Sequence, residues 1–129
     1  MMNLIIGTGI DLIEVKRIEK ALKRAAFSEK LFTEYEREYC DLRKTLRACS
    51  YAARYAAKEA VAKAFGIGFR GDLSSLRDIE IRNDEKGAPF VVLKNGFLNL
   101  AKEKKVSKIF LSLTHTKEYA AAEVILWSD

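Results

Sequence analysis

Apolar and polar residues along the chain follow two periods, and the change from one to the other marks out the elements. Over 3–10 the pattern has a period of two. Leu4, Ile6, Thr8 and Ile10 fall on one face and Ile5, Gly7 and Gly9 on the other, as in a strand. Asp11 follows in register with the glycine face. The period then lengthens: Val15, Ile18 and Leu22 form a helical stripe. With Asp11 as N-cap and Glu14 as its capping-box partner, a first helix is expected over about 12–25. Thr33 with Glu36 is a second capping box, opening a helix that reaches about 42. The alanine-rich segment 46–65 contains neither Gly nor Pro and stops at Gly66, a suitable C-terminal cap, so a long third helix is expected there. The glycines of 66–71 mark a flexible loop. Further on, 79–82 alternates, 83–87 is a turn and 89–93 returns as a strand. A short amphipathic helix is expected over about 97–105, then strands at 109–114 and 119–127 around a turn at 115–118. Helices and hairpins are segregated and do not alternate as βαβ units. The expected class is therefore α+β: one domain over 1–129, with a mainly antiparallel sheet packed against the long alanine-rich helix.

Composition narrows the function classes. At 129 residues with 49% apolar and 32% charged, the chain suits one globular core beneath a charged surface. Its apolar runs fall far short of the roughly 20 residues that span a bilayer, and the early Gly7, Gly9 and Asp11 do not suit a signal peptide; a cytoplasmic protein with no membrane partner is expected. Two cysteines, Cys40 and Cys49, are too few for a disulfide framework and are expected to be buried. The single histidine, His115, excludes zinc sites built on two or three imidazoles. The net charge of +5 favours an anionic partner, which leaves nucleic acid, a phosphorylated cofactor or an acidic protein. Its most one-sided block is Lys16, Arg17, Lys20, Lys23 and Arg24. A nucleic-acid module would use this block, but the aromatic residues read as core positions and no recognised nucleic-acid motif is present.

Candidate chemistry lies in three places. Gly7-Thr8-Gly9 after a strand resembles the opening of a dinucleotide fingerprint, but Leu12 stands where its third glycine belongs. Asp11, beside two glycines, suits either a helix cap or an exposed metal ligand that a phosphate can approach. The third helix carries Arg54, Lys58, Glu59 and Lys63 among alanines. Glu59 and Lys63, four apart, suit an ordinary surface salt bridge worth a few tenths of a kcal/mol. Glu59 with Asp11 would instead form a hard-oxygen site for Mg²⁺, which takes one or two carboxylates plus phosphates and waters. His115, among the hydroxyls of Ser112, Thr114 and Thr116, is placed for a phosphate; no nucleophile elbow surrounds Ser112.

Three segments, in order, resemble one family. Gly9-Ile10-Asp11-Leu12-Ile13-Glu14 with Lys16-Arg17-Ile18, then Arg54-Tyr55-Ala56-Ala57-Lys58-Glu59-Ala60 through Lys63-Ala64-Phe65-Gly66, and Ser112-Leu113-Thr114-His115-Thr116 through Ala120 are similar to the short, holo-acyl-carrier-protein synthase branch of the 4′-phosphopantetheinyl transferases. Ile79-Glu80-Ile81 and Lys86-Gly87-Ala88-Pro89 match between them. Tyr55 stands where many members carry an aromatic residue and reads as an unremarkable variant. The resemblance implies the transferase fold and a Mg²⁺-dependent transfer of phosphopantetheine from coenzyme A to an acyl carrier protein, in fatty acid biosynthesis. It implies Asp11 and Glu59 as metal ligands, and Asp11, Glu59 and Lys63 as the catalytic set. Arg54, Lys63, Gly66, Gly87, Pro89, His115 and Thr116 would contact coenzyme A, and Arg17, Lys20 and Arg24 the acidic carrier protein. A homotrimer with active sites between subunits is implied as well. The serine's base, Glu59 or a metal-bound water, is left open.

Overall fold

The structure, a computed structural model, describes residues 3–67 and 73–129. In chain order the elements are β1 (Leu4–Glu14), α1 (Val15–Ala21), α2 (Ala25–Leu31), α3 (Glu34–Asp41), α4 (Arg47–Ala64), β2 (Ile79–Asn83), β3 (Pro89–Leu93), α5 (Asn95–Glu103), β4 (Lys108–His115) and β5 (Tyr119–Ser128). Short 3₁₀ turns precede α4 and β2. The strands form an antiparallel three-stranded sheet in the order β1-β5-β4 and an antiparallel β2-β3 hairpin. The expected α+β class is the observed one. The glycine loop expected at 66–71 lies, from Gly68 onward, outside the described residues.

α4 is the axis of the molecule. From Tyr51 to Ala62 every residue except Tyr55 is buried, which for a helix means packing on all sides. Alanine allows neighbours to come close, and β1 uses this fully. A Cβ on Gly9 would collide with the Ala60 carbonyl, and one on Gly7 with that of Ala64, so the strand lies against the helix backbone. Gly66, at φ 79°, ends α4 with a Schellman cap: Gly66 N donates to Lys63 O (2.9 Å) and Ile67 N to Ala62 O (2.9 Å).

The expected first helix is corrected. β1 continues to Glu14 because its pairing with β5 runs on to Glu14 opposite Tyr119, with Asp11 opposite Ala122. Asp11 is therefore a strand residue and caps nothing; Glu14 is the N-cap of α1 and its side chain makes no capping hydrogen bond. Ladder pairing with a strand more than a hundred residues away outweighs a local capping signal. The helix is also shorter, and a separate α2 follows it. The second capping box forms as expected: Glu36 N donates to Thr33 Oγ1 (3.3 Å) and Thr33 N to Glu36 Oε1 (2.9 Å). Of the cysteines, Cys40 is buried, its thiol pushed up to about 12 by burial, whereas Cys49 is only half-buried.

Candidate active site

Three charged residues of α4, Arg54, Lys58 and Glu59, lie buried, and a buried charge demands partners. Lys58 has a full set. Its ammonium donates to Glu36 Oε1 (2.8 Å), to Leu76 O (3.0 Å) and to Ile79 O, and the other Glu36 oxygen accepts from Ile81 N (2.9 Å). This network ties α4 to α3 and β2. Burial lowers the Lys58 pKa, and Glu36 opposes that shift.

Glu59 is different. It is 6% exposed, yet its Oε1 has no hydrogen-bond partner. Such an atom costs about 1–3 kcal/mol unless something outside the chain satisfies it. The surface salt bridge with Lys63 that the spacing allows is not formed. Lys63 Nζ instead bonds Asp11 Oδ1 (2.9 Å) and Ile10 O (3.0 Å). The glycine contacts of β1 bring Asp11 to this face of α4, close enough for its charge to act on Glu59. Burial first, and then Asp11, raise the Glu59 pKa, while Lys63, Tyr55 and Arg17 draw it back. Asp11, Glu59 and Lys63 thus form one cluster, as the sequence suggested for metal and phosphate chemistry.

Tyr55, one turn before Glu59 on the same face, belongs to this cluster, although by sequence it was only an interchangeable aromatic residue. Its hydroxyl pKa is raised by burial and then by the charge of Glu59. The i,i+4 spacing was the available signal. Its ring lies against Phe27 of α2, centroids 6.3 Å apart, in a groove of about 760 Å³. The groove is also lined by Arg17, Lys20, Lys23 and Arg24 over an apolar floor. The expected basic surface is therefore gathered in one place and reaches Glu59 through Arg17 and Tyr55.

The residues expected at a cofactor fall into two further groups. Arg54 lies roughly 140° around the helix from Glu59 at 100° per residue. Its guanidinium covers the Tyr39 ring at 4.0 Å and bonds Asn83 Oδ1, while its buried Nε has no partner. Asn83, unremarked in the sequence reading, reaches on to Gly87 O (3.1 Å) and pairs with Pro89 in the β2-β3 ladder. Gly87 has φ 88°, held by an Asp84 turn that accepts from Lys86 N and Ala88 N, both at 2.9 Å. His115 and Thr116 lie at the β4-β5 turn. There the Thr116 hydroxyl accepts from Glu118 N (3.2 Å) and Tyr119 N (3.1 Å), and its carbonyl accepts from Cys49 Sγ (3.9 Å) in the first turn of α4. Among the described residues, no hydrogen bond or ion pair joins these two groups to the Asp11–Glu59–Lys63 cluster.

The donors suit a hard divalent cation. Among the described residues no three His, Cys, Asp or Glu side chains converge, so the protein offers two carboxylates, as is usual for Mg²⁺ sharing its sphere with phosphates. The bare Glu59 Oε1 fits that role.

Comparison with known proteins points to one family. A family described as the 4′-phosphopantetheinyl transferase superfamily matches residues 7–124. The holo-[acyl-carrier-protein] synthase of Treponema denticola is 45% identical over 95% of this chain and 98% of that protein. The one from Clostridium tetani is 44% identical over 95% and 96%. The crystal structure of a holo-(acyl-carrier-protein) synthase from Bacillus anthracis in complex with CoA (3′,5′-ADP) superposes with a TM-score of 0.79. It is 40% identical and covers 97% of this chain and 98% of that one.

Proposed function

The chain belongs to the 4′-phosphopantetheinyl transferase superfamily, and from that premise we propose that it is a holo-[acyl-carrier-protein] synthase, moving 4′-phosphopantetheine from coenzyme A to a serine of an apo-acyl carrier protein. The observation that carries the reading is the partnerless, buried Oε1 of Glu59 beside Asp11 and Lys63. Asp11 and Glu59 would hold Mg²⁺. When bound, the ion neutralises charge on the phosphate and on the departing oxygen.

The chain's own groups do the rest. The serine oxygen bonds to the β-phosphorus of coenzyme A, the bond from that phosphorus to the bridging oxygen breaks, and adenosine 3′,5′-bisphosphate leaves. Burial and the Asp11 charge raise the basicity of Glu59, which suits it to take the serine proton. Lys63, half-exposed next to Asp11, is free to turn its ammonium toward the pyrophosphate. Arg54, Gly66, Gly87, Pro89, His115 and Thr116 are assigned to the cofactor. The buried, partnerless Arg54 Nε supports this for its own group.

Because Arg54, Gly87, Pro89, His115 and Thr116 stand apart from Asp11 and Glu59, the proposal includes a homotrimer in which one copy completes its neighbour's site. The outer sheet face supports it: Ile10, Leu12 and Phe110 are 68%, 65% and 52% exposed there. The groove of Arg17, Lys20 and Arg24 receives the acidic carrier protein, and the reading extends to cytoplasmic fatty acid biosynthesis.

The test is incubation with coenzyme A, Mg²⁺ and apo-acyl carrier protein, followed by intact mass measurement and sedimentation. Addition of phosphopantetheine by a trimeric species is expected. An unchanged carrier mass would sink the proposed activity, and a monomer with full activity the shared site.

A further inference from the structure

Arg54 is 3% exposed, and among the described residues no carboxylate forms an ion pair with it. The other buried cation of α4, Lys58, has Glu36. A buried charge without an opposite one is costly, so Arg54 calls for an anion from outside the chain. What holds its guanidinium is neutral. The Tyr39 ring covers one face at 4.0 Å, and Asn83 Oδ1 accepts from Nη2. The asparagine is itself fixed. Its Nδ2 donates to Gly87 O (3.1 Å) and its backbone N to the Tyr35 hydroxyl (3.4 Å), at the end of β2 opposite Pro89. An amide set between a guanidinium and a carbonyl has one favourable orientation, with its oxygen toward the arginine.

We propose that Asn83 is a positioning residue for the cofactor: it anchors the Arg54 guanidinium through a neutral oxygen, which fixes the group's direction and keeps its full charge for a phosphate. This rests on the assignment of Arg54 to coenzyme A made above. A carboxylate at position 83 would hold the arginine as firmly but neutralise it. A shorter side chain would leave the charge free and the direction unset. A side chain this buried cannot search for its ligand, so the direction that Asn83 sets is the one a phosphate meets. Asn83 can be changed without undoing the turn beside it. It is half-buried, and Asp84 holds the turn through Lys86 N and Ala88 N.

The test is calorimetric titration of the full chain with adenosine 3′,5′-bisphosphate, without Mg²⁺ so that the metal site plays no part. Asn83→Ala should raise the dissociation constant about 10-fold, the effect of one hydrogen bond to a charged group. Asn83→Asp, nearly the same in size, should raise it further. In turnover, the KM for coenzyme A should rise in both variants while that for carrier protein holds. A second background identifies the mechanism: because Asn83 acts through Arg54, Asn83→Ala should add nothing once Arg54→Met is in place. Nucleotide binding by Asn83→Ala within about twofold of the parent overturns the proposal. So does a loss of equal size in the two backgrounds, which would make Asn83 a direct contact or a support of the fold. Tighter binding by Asn83→Asp than by Asn83→Ala overturns the neutral anchor. Parental affinity in Arg54→Met would instead remove the cofactor assignment, and the proposal with it.

Discussion

The approach of β1 to α4 can be tested with one methyl group. In Gly9→Ala the new Cβ would overlap the Ala60 carbonyl and come within 2.9 Å of Ala64 N. Both obstacles are backbone, so no side chain can swing aside. A carbon–oxygen contact needs about 3.3 Å against the 1.9 Å available, and the strand must therefore back away by about 1.4 Å. Overpacking of this kind costs about 1–3 kcal/mol, against a total of about 5–15 kcal/mol for a domain of this size. The variant should stay mostly folded, melting about 4–12 °C lower. Asp11, two residues on, moves with the strand, and the bonds from Lys63 to Ile10 O and Asp11 Oδ1 go with it. A displacement of about 1 Å at a reacting group costs about 100-fold in rate. Phosphopantetheine transfer should fall by that order while circular dichroism still reports a folded chain. Gly96→Ala is the control: nothing lies within 4 Å of its Cβ, so α5 should gain about 0.5–1 kcal/mol with activity intact. A Gly9→Ala protein with the parent's kcat and melting temperature would refute the reasoning.

Glu59→Gln should abolish transfer yet stabilise the chain. The folded pKa of Glu59 is raised, so an unfolded chain releases that proton first, and stability falls as pH rises through the interval. Calorimetry should find the Gln variant more stable by about 1 kcal/mol at pH 7, with the gain vanishing below about pH 4; a variant less stable at pH 7 would contradict this. Glu80 has the opposite sign. Burial raises its pKa, but Thr33, the Arg82 hydrogen bond and the Lys94 charge more than offset that and leave it lowered. Its stabilisation is present above the unfolded value of about 4.3 and is lost as pH falls through the folded one, so urea titrations from pH 6 to 3 should show a shallower decline in Glu80→Gln than in the parent. Arg24→Glu should raise the KM for carrier protein and leave that for coenzyme A unchanged; Arg17→Glu should affect both, because Arg17 also acts on Glu59.

Local signals were legible in the sequence where the structure answers them locally. The Thr33–Glu36 box, the glycine cap of α4 and the turn at 83–87 are each decided within five residues, and each was readable. The Asp11–Glu14 signal was equally good by local rules and failed, because β5 claims those residues in its ladder. The inner positions of β2 show the same limit. Strict alternation would put Glu80 in solvent, yet it is 2% exposed, its charge met by Arg82 and Lys94. Of the site, Asp11, Glu59 and Lys63 could be singled out by residue type, but their pairing could not: spacing suggested Glu59 with Lys63, and the fold gives Lys63 to Asp11. Lys58 shows why. Its partners Glu36, Leu76 and Ile79 lie 18 to 22 residues away, so nothing beside it in sequence announces its burial.

Small residues decide where the chemistry sits. Glycine in β1 and alanine in α4 let two backbones touch, and that contact sets Asp11 over the face that carries Glu59. The same closeness takes Glu59 out of water, so its charge must be met by other groups. Among the described residues, every cation within reach is already engaged or held at a distance: Lys63 by Asp11 and Ile10 O, Lys58 by Glu36. Arg17 acts only through its field, from the rim of the groove. The carboxylate is thus left short of charge by its own fold, although one rotation toward Lys63 would satisfy it. A structural ion pair would have taken that rotation. Keeping it untaken costs stability and leaves a vacant oxygen beside a second carboxylate, an arrangement whose gain comes only when a cation with its phosphates arrives.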